Sequence, residues 1–591
     1  MDDQNRVPES DPGSGAEQEA PSGPEPAGAP PPPRHNFPIF GVPATAFRRF
    51  NAVVLAPDSA DLVGDESPPH PTVYRADWLL LPGLPGRSLD TGPLELLQRI
   101  GTEMGFTPEV RDTGTTDLAN GLEYGERLDA VARTPVRLVP DAGRVGPPLD
   151  AWAVLQRARA DRRGRGDTGE SDQGKDRTAP SGAEERRRHD PADVRAWSLC
   201  HVLMATGYGS GVGYGSGVGY GSGVGYGSGV GYGSGVGYGS GVGYGSGVGY
   251  PSGVGYPSGV GIPGTADGRI PVMFAMDPPP PTGRRSPVIA ILDTGLGHHP
   301  WFDGSPLVDR DPEVNGERIG LRFAPADDPE GTGVTLDRVN GVLDPMAGHG
   351  TFIAGVLRQH CPDSRLVIVP VMWGDGAADE IDLIHALELL LLWHWARVDG
   401  KEKGDPLDVV SLSLGYYHET PGAVVDEEGL FAAIRALSEA GVAVVAAAGN
   451  GATTLPFWPA ALAGLPQPSV PITSVGAHNP HDSTVATFSN TGDWVSTYRC
   501  GVAVVSTMPT TFAGSLRGSM AVPAGVNPAR ATPDPDNYSC GFGVWSGSSF
   551  AAPACAGQVA HVLGDAEEAA DLEARRKLVA SAVRTIVADG S

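Results

Sequence analysis

The amino-acid sequence predicts an α/β fold for the C-terminal half of the chain, a parallel sheet flanked by helices, with a small α+β module nearer the N-terminus. One observation behind this prediction is that, after residue 286, short apolar runs alternate with stretches of helical spacing. Another is a change near residue 35, where a Pro- and Gly-rich tail gives way to strand-like and helix-like runs. The third is the total of 84 glycines and 56 prolines among 591 residues, which predicts long disordered segments beside the folded ones.

The N-terminal part divides into a tail and a module. Residues 1–34 contain almost no large apolar side chains, so we expect a disordered tail that cannot offset chain entropy by burial. Residues 35–146 are predicted to form the α+β module. Their strand-like runs at 51–55, 74–81 and 134–139 enclose a segment of helical spacing at 93–105.

Three connecting segments are predicted between the module and the C-terminal half. Residues 147–206 are interpreted as a short helix followed by a charged linker. Residues 207–261 hold nine hexapeptides, seven Gly-Tyr-Gly-Ser-Gly-Val and two Gly-Tyr-Pro-Ser-Gly-Val, and predict a flexible tether. A glycine-rich solenoid or tyrosine-stacking element remains an alternative, although solenoids need larger inward residues. Residues 262–285 form a further linker.

The C-terminal domain is predicted over residues 286–588. Its strands are expected at 287–292, 366–372, 408–414, 442–448 and 472–475, and its helices at 351–360, 377–398 and 427–440. Strands that are apolar on both faces and separated by helices are typical of a parallel sheet packed between helical layers. Functional side chains of such sheets gather at the carboxyl ends of the strands.

Composition excludes several classes of partner. The net charge of −27 argues against nucleic acid or an anionic membrane, because both require clustered Lys and Arg. The first 34 residues lack the apolar stretch of a signal peptide, and the longest apolar run, residues 389–393, is too short to span a membrane. The five cysteines are widely spaced and lack a C-x-x-C pair, which favours a reducing, cytoplasmic location.

Four short segments place chemically useful side chains where a strand ends or a helix begins. Asp293 and Asn450 each follow an apolar run, His349 lies between glycines at a predicted helix start, and Ser549 lies in the first turn of another helix. A dry carboxylate can fix a histidine tautomer, and an amide and a helix N-terminus can stabilise an oxyanion. Taken singly, each residue also has an ordinary explanation as a turn, capping or structural side chain.

Together, and in this order, the four segments resemble the subtilisin-like (subtilase) family of serine peptidases, whose triad runs Asp, His, Ser along the chain. The resemblance extends over residues 286–564 and includes Asp-Thr-Gly, His-Gly-Thr, Ala-Ala-Gly-Asn and Gly-Ser-Ser-Phe-Ala-Ala-Pro. Ser548 and Phe550 depart from the usual Thr and Met, without touching the position of the nucleophile. The resemblance implies a subtilisin-like fold and a serine endopeptidase that forms an acyl-enzyme.

The resemblance also assigns roles to individual residues. It implies that Asp293 orients His349, that His349 is the general base, and that Ser549 is the nucleophile. It further implies an oxyanion hole formed by Asn450 and the backbone N–H of Ser549. Ser549 takes the nucleophile's position because it alone lies two residues after Gly547 and four before the proline of this segment.

Substrate-binding residues follow from the same resemblance. Ser413, Leu414 and Gly415 correspond to a strand along which an extended peptide pairs, and Gly449 would line the pocket for the residue before the cut. Leu414 is equally compatible with a core position.

No cofactor is expected. Many relatives bind calcium, but the acidic segments 309–313 and 326–330 show no specific ligand pattern, so a calcium site cannot be assigned. The expected partners are polypeptide substrates and, by analogy with inhibitory pro-domains, the chain's own N-terminal module. A neutral accessory role for the module remains open. The alternative function is a non-catalytic scaffold that binds peptides and assembles through its repeats.

Overall fold

The structure is a computed structural model. It describes residues 42–57, 60, 62, 68–164, 194–206, 269–274, 276–420, 429–481, 484–517, 530–567 and 569–589. The predicted tail at 1–34, the hexapeptide array at 207–261 and most of the two linkers lie outside the described residues. Among the helices in these ranges, none is both long and apolar enough to cross a membrane.

The helices of the described residues are α1 (Ala44–Phe50), α2 (Pro93–Met104), α3 (Thr115–Gly121), α4 (Gly125–Asp129), α5 (Ala151–Gly164), α6 (His349–His360), α7 (Glu380–Val398), α8 (Phe431–Glu439), α9 (Ser548–Gly564) and α10 (Leu572–Asp589). The strands are β1 (Ala52–Leu55), β2 (Thr72–Pro82), β3 (Phe106–Val110), β4 (Arg133–Pro140), β5 (Ser198–Ala205), β6 (Ile270–Pro271), β7 (Val288–Asp293), β8 (Val308–Asp309), β9 (Glu313–Val314), β10 (Glu317–Arg318), β11 (Arg365–Pro370), β12 (Ala377–Asp379), β13 (Val409–Leu412), β14 (Leu414–Gly415), β15 (Ala443–Ala447), β16 (Thr473–His478), β17 (Thr497–Cys500), β18 (Val504–Thr507) and β19 (Phe542–Trp545).

The C-terminal domain is built on a seven-stranded parallel sheet in the order β17-β16-β15-β13-β7-β11-β8. Its central strands β7, β13 and β15 are buried along their whole length, as expected for strands covered by helices on both faces. The structure therefore confirms the predicted α/β class. Because all these strands run in one direction, the residues that follow β7 and β15 meet at one edge of the sheet.

Helix α9 packs closely against the sheet because its first turns carry small side chains. Ala551, Ala552 and Ala556 are fully buried. A Cβ on Gly557 would lie only 2.7 Å from His360 Cβ, so this glycine permits the close approach of α9 to α6. The tight packing fixes the start of α9 beside the start of α6.

A second, antiparallel sheet belongs to the N-terminal module. It runs in the order β12-β5-β2-β4-β3, with β1 on β2 and β14 on β5. Helices α2 and α5 cover one face, and their buried residues Leu97, Ile100, Trp152 and Leu155 share a core with Leu79. Strands β12 and β14 come from the C-terminal domain, so this sheet joins the two parts of the chain.

Residues 198–205 differ from their predicted place in a linker, because they form the fully paired strand β5. The run Ser-Leu-Cys-His-Val-Leu-Met-Ala is apolar enough for a buried strand. However, its partners β12 and β14 lie more than 170 residues further along the chain, so local sequence alone does not reveal them. Strand β5 leads directly to Thr206, whose hydroxyl contacts Ser549.

Candidate functional site

Asp293 and His349 form a buried hydrogen-bonded pair at the carboxyl edge of the parallel sheet. Asp293 is the last residue of β7, His349 is the first of α6, and 2.8 Å separates Asp293 Oδ1 from His349 Nδ1. Both side chains are at most 1% exposed. Asp293 Oδ1 also accepts hydrogen bonds from the backbone N–H of Thr294, at 2.8 Å, and from its hydroxyl, at 3.2 Å. These contacts hold the carboxylate on one side of the imidazole.

The glycines flanking His349 are required by close packing. A Cβ on Gly350 would lie 2.2 Å from the carbonyl oxygen of Gly295, the turn glycine after β7. Gly348 has a φ of 81°, in the left-handed region that favours glycine. These two positions bring the first turn of α6 against the end of β7, which sets the separation of the imidazole from the Asp293 carboxylate.

Ser549 lies in the first turn of α9, beside the histidine. The aromatic ring of the next residue, Phe550, packs 5.4 Å from the His349 ring, measured between centroids, and Trp545 packs at 5.5 Å. Ser549 is fully buried, and its Oγ lies 2.5 Å from Thr206 Oγ1. Within the described residues, the buried His349 Nε2 makes no hydrogen bond. The nitrogen that a general base uses is thus not hydrogen-bonded to any described side chain, Ser549 included.

Asn450 follows β15 and contacts the same helix start. Its side-chain Oδ1 accepts the backbone N–H of Ser548 at 2.9 Å. The Ser548 hydroxyl in turn accepts the backbone N–H of Gly449 at 3.1 Å. The sequence marks Ser548 only as a departure from the usual Thr, whereas in the structure it joins the segment after β15 to the segment that carries Ser549.

The predicted substrate-binding segment contacts Ser549 and is already paired. Leu414 and Gly415 face Ala205 and Met204 in antiparallel register. The backbone N–H of Thr206 donates to the carbonyl of Ser413 at 2.9 Å. The Ser413 hydroxyl donates to the carbonyl of Ser549 at 3.0 Å, which fixes this segment to the backbone of the predicted nucleophile.

The partner of that segment is the chain's own strand β5. Ala377, Ala378 and Asp379 of β12 pair with the other edge of β5, and the N–H of Ala205 donates to the carbonyl of Gly376 at 2.7 Å. The C-terminal part of β5, residues 202–205, therefore lies between two strands of the C-terminal domain, whereas Ser198, Leu199 and His201 pair with β2 of the module. The residue that follows β5, Thr206, contacts Ser549 Oγ.

Gly449 lies where a side chain cannot be accommodated. Its φ is 98°, and a Cβ would lie 2.5 Å from Asn490 Nδ2 and 3.0 Å from the Phe457 ring. The backbone there lies close to the ring of Phe457 and to the amide of Asn490, which donates to the carbonyl of Ala448 at 2.8 Å. These neighbours surround the predicted pocket position.

Glu330 is a site residue that sequence reasoning placed only in an acidic segment. It is 2% exposed, and its carboxylate accepts the hydroxyls of Thr294 and Thr351, the latter at 2.6 Å. Its Oε1 also accepts the backbone N–H of Gly350 at 3.2 Å. Burial raises the pKa of Glu330 to about 7, although the threonine hydrogen bonds oppose that change. Nothing in a lone glutamate of a loop signals this position.

A group that could hold a metal ion consists of His201, His418 and Glu419, whose ligand atoms lie within 4.8 Å of one another. However, both ring nitrogens of His201 are hydrogen-bonded to carboxylates at 2.9 Å, and His418 Nδ1 accepts the backbone N–H of Thr420, also at 2.9 Å. These contacts engage both ring nitrogens of His201 and the Nδ1 of His418. In the acidic segments 309–313 and 326–330, the described side chains form no further group of this kind.

Comparisons with known proteins agree with this geometry. Residues 284–590 match the sequence model of the subtilase family, and all four predicted catalytic positions fall within that range. Subtilisin BL from Lederbergia lenta is 28% identical over 245 residues, 40% of this chain and 71% of that relative. The thermophilic serine proteinase from Bacillus sp. (strain AK1) is 29% identical over 222 residues, which are 37% of this chain and 45% of that relative.

The subtilase-type proteinase RRT12 from Saccharomyces cerevisiae is 30% identical over 163 residues, which are 27% of this chain and 30% of that relative. The chain thus spans less than half the length of two of these relatives. The family match itself covers more than half of the chain, in the part that carries the parallel sheet and the buried Asp-His pair. The chain belongs to the subtilase family of serine-type endopeptidases.

Proposed function

We propose that this protein hydrolyses peptide bonds through an acyl-enzyme on Ser549, with Asp293 and His349 completing the triad. The observation that carries the proposal is the buried 2.8 Å hydrogen bond between Asp293 Oδ1 and His349 Nδ1, beside the helix start that presents Ser549. That bond fixes the tautomer in which Nδ1 carries the proton and Nε2 can accept one.

The chemistry divides into two transfers. As Ser549 Oγ attacks the scissile carbonyl, His349 Nε2 takes the hydroxyl proton and the Asp293 carboxylate stabilises the resulting imidazolium. The same proton then passes to the leaving amine as the C–N bond breaks. Water attacks the acyl-enzyme in the second transfer, its proton goes to His349, and Ser549 recovers its hydroxyl as the acid product leaves.

The negative oxygen formed in each transfer needs donors that are already in place. Asn450 is the proposed side-chain donor, held because its Oδ1 accepts the Ser548 N–H, and the Ser549 N–H is the second donor. A donor of this kind is worth about 3–4 kcal/mol of transition-state stabilisation.

The N-terminal module is the proposed intramolecular inhibitor. Its strand β5 occupies the position of an extended peptide between β12 and β14, and Thr206 lies against Ser549. We infer that Thr206 takes the place of the residue before the cut and that the bond to Gly207 is the one presented for self-cleavage. The role as a neutral accessory domain does not explain why β5 fills this strand position.

Fluorophosphonate labelling of the full chain, with the adduct located by mass spectrometry, tests the proposed activity. The expected result is one adduct, on Ser549, that is lost in Ser549→Ala and retained in the matched variant Ser546→Ala. A folded parent chain that is never labelled, even after the module is displaced by mild denaturant, would instead support the non-catalytic scaffold.

A further inference from the structure

We propose that Glu380 and Glu419 form an acidic subsite of the peptide-binding cleft, which takes a planar cationic side chain five residues before the residue at the cut. The inference rests on the proposed function, in which β5 marks the path of a substrate and Thr206 precedes the scissile bond. The side chain that occupies the subsite in this structure is His201 of β5.

His201 is enclosed by two carboxylates. Its Nδ1 lies 2.9 Å from Glu380 Oε2, its Nε2 lies 2.9 Å from Glu419 Oε2, and its backbone N–H donates to Glu380 Oε2 at 2.7 Å. All three side chains are at most 1% exposed. The Tyr416 ring stacks on the imidazole at 4.2 Å between centroids, with an interplanar angle of 22°. The site thus offers acceptors at the edge of a flat group and an aromatic surface against its face.

The charges in the site favour a cationic occupant. Burial lowers the pKa of His201, but Glu380 and Glu419 outweigh it and raise the pKa to about 10. The neighbouring His418 remains neutral, because burial lowers its pKa to about 4. Glu380 Oε1 makes no hydrogen bond within the described residues, so the carboxylates hold more acceptor capacity than an imidazolium uses. A guanidinium, which carries more donors in one plane, matches the same acceptors.

Both carboxylates belong to the peptidase domain rather than to the inhibitory module. Glu380 is the first residue of α7, and Glu419 follows β14. They therefore remain when β5 leaves and a substrate takes its place. In the register of β5, residue 201 lies roughly 17 Å along the strand from residue 206, at about 3.3 Å per residue. A peptide in this register places its own side chain between the same two glutamates.

The first experiment measures the rate of fluorophosphonate labelling of Ser549 in the full chain, which reports how often β5 leaves the cleft. We expect His201→Gln to raise the rate about tenfold or more, because a neutral amide loses two charge-assisted hydrogen bonds. His201→Arg should stay within about twofold of the parent. The control His481→Gln, at an exposed histidine, should change nothing. Equal rates for the Gln and Arg variants would overturn the subsite.

The second experiment separates recognition from packing by supplying the strand in trans. Peptides with Arg or Gln followed by Val-Leu-Met-Ala-Thr-Gly-Tyr-Gly-Ser are cleaved by the full chain carrying His201→Gln and by the parent chain. We expect the Arg peptide to have a KM about tenfold lower at similar kcat. Glu419→Gln should reduce that preference, so that the KM values of the two peptides approach each other. Equal KM values for the Arg and Gln peptides, in chains that keep both Glu380 and Glu419, would overturn the subsite.

The outcomes distinguish the two proposals. If the labelling rate and the peptide KM do not depend on the side chain at position 201, the acidic subsite is contradicted and the proposed peptidase activity is not. Absence of labelling in every chain, with the fold verified by circular dichroism, contradicts the proposed function itself. If His201→Gln does not fold, His201→Asn and the peptide preference of the parent chain give the same decision.

Discussion

The two seven-stranded sheets of the described residues are held by different forces. The strands of the parallel sheet are joined through a continuous apolar core that includes Ile289, Val410 and Val445, all fully buried or nearly so. The antiparallel sheet, where the module meets the peptidase domain, adds pairs of opposite charge. Bases of the module pair with acids of the peptidase domain in Arg49–Asp375, Arg75–Asp379, Arg111–Asp382 and His201 with Glu380 and Glu419, whereas the exposed Glu123 of the module pairs with Lys401.

The parallel sheet and its core are therefore the fixed framework of the protein, and the charged interface is the part that can separate. Apolar burial is non-directional, so it stabilises the core of the parallel sheet without requiring specific side-chain pairs. Paired charges give orientation and specificity to a contact, and a single missing partner weakens them strongly. The arrangement fits a module that docks in one register and can leave, on a framework that does not change.

The largest effect is expected in the framework at His349. His349→Ala should lower acyl transfer by at least about 10³-fold, since triad members act as a unit, with little change in the unfolding transition. Peptide hydrolysis and thermal melting of the same preparation check this. His360→Ala, at the other end of α6, is the control and should retain the activity. Full activity in His349→Ala would show that the base is misassigned.

Glu330 offers a pH-dependent test of the same framework. Its folded-state pKa of about 7 exceeds its ordinary value near 4.5, so the folded state binds more protons and stability falls as pH rises through this window. The loss amounts to about 3 kcal/mol at full ionisation. Glu330→Gln should remove this part of the decline when chemical unfolding is measured at pH 5, 6, 7 and 8. An unchanged pH dependence in the variant would contradict the buried carboxylate.

Breaking a buried pair tests the interface. Arg75 and Asp379 form an ion pair in which the side chains are 15% and 3% exposed, and Asp379 also accepts the N–H of Ile381 at the start of α7. Arg75→Met should weaken docking by about 2 kcal/mol, because the buried carboxylate loses its partner. Faster fluorophosphonate labelling of Ser549 is the measured result. The control Arg137→Met removes an exposed pair within the module and should leave the labelling rate unchanged.

The smallest effect is expected at the rim of the same interface. Arg111 and Asp382 pair at 3.3 Å with side chains 40% and 20% exposed, so solvent and salt screen them. Arg111→Gln should change the labelling rate by no more than about threefold, which corresponds to less than 1 kcal/mol. An effect as large as that of Arg75→Met would contradict the view that burial sets the strength of these pairs.

The sequence predicted the framework well because its signals are local. Asp293, His349 and the parallel strands are read from short motifs and apolar runs that do not depend on distant partners. Strand β5 was missed because its pairing depends on β12 and β14, which no local pattern identifies. Glu330 was missed for a related reason, since its role comes from two threonines brought close only by folding.

The assignments of Ser549, Asn450 and the segment 413–415 remain predictions from the family resemblance. Their positions depend on the turns that follow strands, and motif residues define such turns better than composition does. Cleavage preference was not predictable, because the cleft in this chain is lined by residues from segments more than 30 positions apart, such as Glu380 and Glu419.

Strand β5 places Thr206 against Ser549, and a cross-link between these two positions measures that contact. In the full chain carrying Thr206→Cys and Ser549→Cys, the two hydroxyl positions lie 2.5 Å apart, within reach of a disulfide after mild oxidation. The account predicts a peptide pair linked through positions 206 and 549 by non-reducing mass spectrometry. Alkylation of both cysteines, with no such link in the folded chain, would contradict it.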